Sequence, residues 1–271
     1  MTLTATAILL GIVEGITEFL PVSSTGHLIL ATRLFGYDAD AWKVFNVVIQ
    51  LGAILAVVVQ FWRTFWAVGQ GLLRLEPMSI AFVRNILLAF LPSAVLGLLL
   101  KKYIDVMLGS PMVVAWALIV GGIAILAVEK FARQGPLTGV AQLPVSQSLG
   151  VGLFQCIAMV PGVSRSGATI MGALAMGIER RTAAEFSFFL AVPTMLAATT
   201  LELFQNRHEL AAGLGPVGWN EIAIGFVVAF VVALAVIKAF IAFISRSGFA
   251  PFAWYRIVAG IAAIVLLTRL G

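Results

Sequence analysis

Long apolar stretches, separated by charged or turn-forming residues, follow one another along the whole chain. A membrane-spanning helix needs roughly 20 apolar residues to cross a hydrocarbon core of about 30 Å. The segments that meet this length lie at about 42–62, 82–101, 112–130, 183–204, 221–244 and 252–269. The pattern therefore predicts an all-α polytopic membrane protein, whose residues 1–271 form a single integral membrane domain.

Shorter apolar segments form two pairs, and a polar turn that contains proline interrupts each pair. The pairs are about 3–20 with 28–35, and about 147–160 with 167–178. Two short helices around a polar turn predict a re-entrant hairpin, which enters the membrane and leaves on the same side. Irregular backbone at membrane depth is tolerated only where protein or a water-filled cavity satisfies it. We therefore expect both turns to lie inside the folded protein.

The two halves of the chain repeat the same order, a hairpin followed by three spans. With an offset of 141, GIVEGITEFLPVSSTG (11–26) aligns with GLFQCIAMVPGVSRSG (152–167). Near the ends of the halves, WALIVGGIA (116–124) matches WYRIVAGIA (254–262) at six of nine positions. Three crossings per half invert the second half, so the sequence predicts two inverted-topology repeats, about 3–131 and 146–269. In such folds the paired breaks meet at a site near the membrane midplane.

Composition agrees with a membrane protein and excludes several other classes. Hydrophobic residues make up 61% of the chain and charged residues only 11%, against about 25% charged in soluble domains. The net charge of +5 is the usual basic excess of membrane-protein loops, and the basic residues form no cluster that would favour nucleic acid. The distribution of Lys and Arg favours a multi-pass orientation in which the first hairpin opens to the outside.

The first break carries acidic and hydroxyl side chains within an apolar segment. Glu14 and Glu18 are four residues apart, so a helix projects both from one face. Two carboxylates in apolar surroundings repel each other and resist desolvation, so a cation, a proton or a substrate has to offset them. The break that follows adds further polar groups: Ser23, Ser24, Thr25 and His27.

The second break, PGVSRSGAT (161–169), has the features of an anion site. Arg165 offers a planar fork of donors that matches phosphate, and the start of the next helix adds free N–H groups. Hydroxyl groups at the same turn come from Ser164, Ser166 and Thr169. Carboxylates and a phosphate would repel unless a divalent cation bridged them, as Mg²⁺ commonly does. The two breaks together predict metal-assisted hydrolysis of a phosphate ester or anhydride, with a lipid phosphate or diphosphate as substrate.

The two breaks also resemble the signature motifs of a known family. EGITEFLPVSSTGH (14–27) and PGVSRSGAT (161–169) resemble those of the undecaprenyl-diphosphate phosphatase family, also called the bacitracin-resistance protein family. The segments FNVVIQLGAILAVVV (45–59) and AAEFSFFLAVP (183–193) resemble its flanking helices. The resemblance covers essentially the whole chain.

This resemblance implies a hydrolase that removes the terminal phosphate of undecaprenyl diphosphate in the bacterial inner membrane. The product, undecaprenyl phosphate, is the lipid carrier for peptidoglycan synthesis. The resemblance further implies a divalent cation (Mg²⁺ or Ca²⁺) and competition with bacitracin, which sequesters the substrate. With the orientation favoured by the Lys and Arg distribution, we expect the site to open to the periplasmic side. A homodimer is left open.

We assign roles to the polar residues on this basis. Glu14 and Glu18 bind the metal or activate the nucleophile, and Arg165 clamps the phosphoryl group. Ser24 is the expected nucleophile with His27 or Glu18 as its base, and His27 as nucleophile is the alternative. The expected substrate-binding residues are Ser23, Thr25, Ser164, Ser166, Thr169 and Gln50.

Simpler interpretations exist for several of these residues. Ser23 is also a natural helix N-cap, and Gln50 is also suited to a hydrogen bond with a hairpin backbone. Arg165 is also suited to a buried pair with a carboxylate of the first break. The role of Arg256 is left open between snorkelling to the interface and pairing. The alternative function is a polyprenyl-phosphate flippase, because inverted repeats with broken helices also serve transport.

Overall fold

The regular elements of the protein, described here from a computed structural model, are helices. The structure describes residues 2–37, 42–132, 135, 138–207 and 217–270. In chain order the helices are α1 (Leu3–Thr17), α2 (Ser24–Leu34), α3 (Lys43–Gln60), α4 (Trp62–Leu73), α5 (Pro77–Leu108), α6 (Pro111–Phe131), α7 (Val145–Ile157), α8 (Arg165–Ala175), α9 (Arg180–Gln205), α10 (Trp219–Ser247) and α11 (Ala250–Leu270). A short 3₁₀ helix, Val140–Gln142, lies between α6 and α7.

Five of these helices are long and apolar enough to cross a membrane: α5, α6, α9, α10 and α11. Helices α3 and α4 together would make a sixth span, although the two are bent by 72° at their junction. The prediction of an all-helical, multi-pass membrane protein is therefore confirmed.

One helix was not predicted, and one predicted span is too short. Residues 62–73 form α4, which lies between the spans predicted at about 42–62 and 82–101. Helix α5 begins at Pro77 and is 32 residues long, whereas the apolar pattern predicted only about 82–101. Pro77 occupies the first helical position, where its missing N–H costs nothing. The helix then continues to Leu108 and ends at the turn-forming segment Gly109 to Pro111. A hydropathy pattern finds the apolar middle of such a helix and not its polar ends.

Both predicted breaks lie between short helices, and the two share an unusual backbone conformation. Ser23 precedes α2 and Ser164 precedes α8, with φ of 74° and 77° respectively. A positive φ is uncommon for a residue other than glycine. Each serine caps its helix by accepting a hydrogen bond from a glycine N–H, from Gly26 at 3.3 Å and from Gly167 at 3.0 Å.

The short helices pack inside the bundle, which places the breaks in its interior. Helix α1 packs most extensively against α10, and α7 packs most extensively against α5. A side chain at Gly15 would lie 2.8 Å from the carbonyl oxygen of Ala229, so α1 approaches α10 closely only because Gly15 has none. Beside the first break, Phe19 packs edge-on against Phe188 of α9, with ring centroids 5.2 Å apart. Helix α9 therefore forms a wall beside the breaks.

Candidate active site

The Glu18 carboxylate joins the two breaks. Its Oε2 accepts a hydrogen bond from the Ser24 hydroxyl at 2.5 Å, and its Oε1 accepts one from Arg165 Nη2 at 2.8 Å. The side chains of Glu18 and Arg165 are only 4% and 12% exposed, so this ion pair is shielded from solvent. Three residues that the sequence assigned to catalysis thus meet in one buried cluster, although 147 residues separate Glu18 from Arg165.

Helix α9 fixes the orientation of the Arg165 guanidinium group. Arg165 Nη1 donates to the carbonyl oxygen of Ser187 at 2.9 Å. The hydroxyl groups of Ser187 and Thr169 are 2.7 Å apart and share a hydrogen bond. Arg165 Nε is buried and has no hydrogen-bond partner among the described residues. A charged donor therefore stays available beside Glu18, where a phosphate oxygen can accept from it.

Glu14 is the second carboxylate of the cluster and is fully buried. It lies next to Glu18, and neither of its oxygens accepts a hydrogen bond from the described residues. Two adjacent carboxylates, of which Glu14 has both oxygens without a partner among the described residues, suit a divalent cation. Mg²⁺ commonly binds one or two carboxylates and takes its remaining ligands from water and phosphate. No group of three or more His, Cys, Asp or Glu side chains suited to a metal occurs in the described part of the chain. The residues therefore fit a cation that the substrate helps to bind.

His27 points to a different neighbour from the one expected. Its Nδ1 lies 2.7 Å from the carbonyl oxygen of Ser23, which can only accept, so Nδ1 carries the hydrogen of the neutral ring. The other nitrogen, Nε2, then accepts from the Tyr255 hydroxyl at 2.7 Å, and the two rings are stacked 5.6 Å apart. In the described contacts the group that meets Ser24 is Glu18, not His27. The geometry favours Glu18 as the base for Ser24.

The remaining predicted substrate ligands have mostly local partners. The hydroxyl of Ser166 donates to the carbonyl oxygen of Leu20 at 2.9 Å, which ties the second break to the first. Ser23 and Ser164 act as N-caps, and Ser164 also lies 3.0 Å from the Ser166 hydroxyl. These contacts hold the breaks in shape. The side chains of two further candidates are partly exposed and make no hydrogen bond with the described residues: Thr25 and Gln50.

Sequence reasoning missed two residues that support this cluster, Ser187 and Tyr255, and left the role of Arg256 open. Arg256 is fully buried in α11 and donates only to main-chain carbonyl groups. Its acceptors are Leu118 at 3.3 Å, Ala117 at 3.1 Å, and Pro21, Val163 and Gly162 at 2.9 Å each. One signal was available, because Arg256 occupies the position that Leu118 holds in the aligned segment of the first half. A charged side chain inside a membrane helix, at a position where the first half has leucine, needs a specific partner.

Comparison with known proteins shows the family of the chain. The family model for bacitracin resistance protein BacA matches residues 7–262. A protein of Novosphingobium aromaticivorans named undecaprenyl-diphosphatase is 76% identical over 259 residues, which cover 96% of each chain. The undecaprenyl-diphosphatase of Sphingopyxis alaskensis is 56% identical, with 97% of both chains covered. The undecaprenyl-diphosphatase 2 of Paramagnetospirillum magneticum is 51% identical over 97% of this chain and 99% of its own. The chain therefore belongs to the family of the bacitracin resistance protein BacA.

Proposed function

We propose that this protein is an undecaprenyl-diphosphatase, which hydrolyses undecaprenyl diphosphate to undecaprenyl phosphate and inorganic phosphate. The observation that carries this function is the set of contacts around Glu18. The buried Glu18 carboxylate accepts one hydrogen bond from the hydroxyl of Ser24 in its own hairpin. It accepts another from the guanidinium group of Arg165 in the other hairpin. A nucleophile, its base and a phosphate-binding cation are the groups that phosphoryl transfer requires.

Ser24 is the proposed nucleophile. As its oxygen attacks the terminal phosphorus, Glu18 takes the hydroxyl proton along the 2.5 Å hydrogen bond. The new P–O bond to Ser24 replaces the anhydride P–O bond, and undecaprenyl phosphate departs with the bonding electrons. Glu18 passes the serine proton to the departing undecaprenyl phosphate and is a carboxylate again. Water then attacks the phosphoserine while Glu18 takes a proton from it, and the return of this proton to the Ser24 oxygen releases phosphate and restores the serine. Arg165 stabilises the negative charge on the phosphoryl oxygens. Its Nε, which has no partner in the part of the chain that the structure describes, is the donor available for this.

We further propose that Glu14 and Glu18 hold a divalent cation, Mg²⁺ or Ca²⁺, together with substrate oxygens. When bound, such a cation neutralises phosphate charge and lets the diphosphate approach two carboxylates. The unsatisfied, fully buried oxygens of Glu14 support this assignment. Ser23, Thr25, Ser164, Ser166, Thr169 and Gln50 remain proposed substrate contacts.

For the membrane arrangement we propose two inverted repeats, each with a re-entrant hairpin and three spans. Helices α2 and α8 have the same length of 11 residues, and their first residues are 141 positions apart, as the sequence alignment requires. The packing is reciprocal as well, because the hairpin helix α1 packs on α10 and its counterpart α7 packs on α5. Both observations support an internal two-fold relation. We place the protein in the bacterial inner membrane with the site open to the periplasm, where bacitracin competes for the lipid substrate.

Phosphate release from undecaprenyl diphosphate by the purified protein tests this function. We expect release with Mg²⁺ or Ca²⁺ and loss of release when a chelator is added. Arg165→Lys keeps the charge but removes the planar fork, so it should retain the fold and lose most activity. If no phosphate is released with either cation, the hydrolase function is wrong. Movement of undecaprenyl phosphate across liposomes without hydrolysis would then favour the flippase alternative.

A further inference from the structure

Arg256 differs from Arg165, the arginine of the second break, in how its donors are used. A guanidinium group has five N–H donors, and the five hydrogen bonds of Arg256 use all of them. All five acceptors are main-chain carbonyl oxygens. No donor is left for a phosphate, so Arg256 is not a second substrate clamp, in contrast to Arg165 with its free Nε.

The acceptors of Arg256 belong to three separate parts of the fold. Pro21 lies in the first break, three residues before the proposed nucleophile Ser24. Gly162 and Val163 lie in the second break, just before the helix that begins with Arg165. The other two carbonyl groups, of Ala117 and Leu118, lie on α6. One side chain therefore connects both breaks to each other and to a spanning helix.

This connection has a physical basis. Backbone that leaves a helix inside the membrane has carbonyl groups without helical partners, and they need a buried donor. Arg256 supplies that donor, and the carbonyl dipoles in turn stabilise its charge. Because Nη1 alone bonds to Pro21 and Val163, both at 2.9 Å, the two breaks cannot move apart without breaking a charged hydrogen bond.

We propose that Arg256 is a positioning residue, which fixes the two breaks at the separation that lets Glu18 contact both Ser24 and Arg165. Its effect on activity rests on the proposed phosphatase function, whereas its effect on the distance between the hairpins does not. The neighbouring Tyr255 contacts His27 from the same turn of α11, so this helix supports the site at two places.

Two variants of the full-length protein test the proposal in different ways. Arg256→Lys keeps the charge but has donors on one nitrogen only, which cannot bond to both breaks and α6 together. Gly121→Ala leaves Arg256 unchanged but places a methyl group 2.8 Å from its Cζ, so the guanidinium group has to shift. The matched controls are Lys238→Met, at an exposed position of α10, and Gly69→Ala, where a methyl group meets nothing within 4 Å.

Steady-state phosphate release from undecaprenyl diphosphate with Mg²⁺ gives the first readout. A displacement of about 1 Å between reacting groups costs roughly 10²-fold in rate. We expect kcat to fall by about 10²-fold in Arg256→Lys and less in Gly121→Ala, with a much smaller change in KM because every phosphate ligand is still present. Both controls should match the wild type. A purely structural role would lower the yield of folded protein but leave kcat per folded molecule unchanged.

The distance between the hairpins gives a second readout that does not depend on activity. Spin labels at Leu34 and Ala175 mark the exposed ends of α2 and α8, after the free Cys156 is replaced by serine. We expect a single narrow distance distribution in the wild type and in both controls, and a broader one in Arg256→Lys and Gly121→Ala. An unchanged kcat or an unchanged distribution in both variants overturns the proposal. If the wild type itself releases no phosphate, the proposed function fails, and the distance distributions still decide whether Arg256 holds the hairpins together.

Discussion

Replacement of Glu18 by glutamine tests the central contact of the site most directly. The two side chains have nearly the same shape, but glutamine has one acceptor oxygen where glutamate has two. Glu18 uses both of its oxygens, one for Ser24 and one for Arg165. In Glu18→Gln, one of these donors has to face the amide NH₂ group, and no base remains for the serine proton.

Two effects follow, and their sizes differ. A hydrogen bond to a charged group contributes about 1.5–3 kcal/mol, so losing one of the two destabilises the fold by roughly that amount. Removal of a general base lowers the rate by about 10²–10⁴-fold, which equals roughly 2.7–5.4 kcal/mol of activation free energy. We therefore expect a folded protein whose kcat is about 10³-fold lower.

Phosphate release at saturating substrate and Mg²⁺ measures this effect. Glu185→Gln is the matched control, because Glu185 also accepts from an arginine, Arg181 Nε at 2.8 Å, but lies at a partly exposed position of α9. Exposed ion pairs contribute about 0–1 kcal/mol, so the control should keep nearly full activity.

The double variant of Glu18→Gln with Ser24→Ala decides whether the two residues act as a unit. Substitutions of a nucleophile and of its base have strongly non-additive effects on the rate. The double variant should therefore be about as slow as the slower single variant. If the two losses multiply instead, Glu18 does not activate Ser24 and the reasoning is refuted. If Ser24→Ala keeps near-full activity while His27→Ala loses it, His27 is the nucleophile.

Other predictions concern the surroundings of the cluster. Tyr255→Phe removes one hydrogen bond to His27 but keeps the stacked ring; at about 1 kcal/mol per bond, kcat should fall by less than about tenfold in phosphate-release assays. Glu14→Gln should raise the Mg²⁺ concentration for half-maximal activity by at least about tenfold, measured by metal titration. Gln155→Leu removes a buried bond to Ser93, so it should lower the thermal unfolding temperature without changing the metal requirement.

The positions of the two breaks could be predicted because their signals are local. Proline, hydroxyl residues and glycine stand together at each break, and Ser23 and Ser164 cap the helices that follow. Helix α4 could not be predicted in this way, because an apolar-length criterion detects helices that cross a membrane. Trp62–Leu73 mixes apolar residues with a few polar ones, such as Arg63 and Gln70, and both of its tryptophans are exposed. The helix turns away from α3 by 72°. This helix is indicated by the periodic spacing of its apolar residues and not by its mean hydropathy.

The pairing of Arg165 with a carboxylate of the first break could be foreseen from the alignment of the two hairpins. The contact that fixes the orientation of the Arg165 guanidinium group could not. Ser187 accepts from Arg165 through a main-chain carbonyl, and a carbonyl group leaves no trace in the residue type. The same holds for Arg256, whose acceptors are all carbonyl groups on segments remote in sequence. A sequence shows that a buried arginine needs partners, but the fold decides which carbonyl groups they are.

A comparison of sequence-equivalent positions indicates which hairpin carries the chemistry. Gln155 corresponds to Glu14 at the offset of 141, and both are buried. Gln155 is satisfied by the protein itself, since its Nε2 donates to the hydroxyls of Ser93 and Thr194. The oxygens of Glu14 have no such donors among the described residues. Buried polar groups are almost always hydrogen-bonded, so an unsatisfied carboxylate at a position that its equivalent fills with a satisfied amide supports the proposed cation site. In the proposed mechanism the first hairpin therefore supplies the carboxylates, and the second supplies the arginine that binds phosphate.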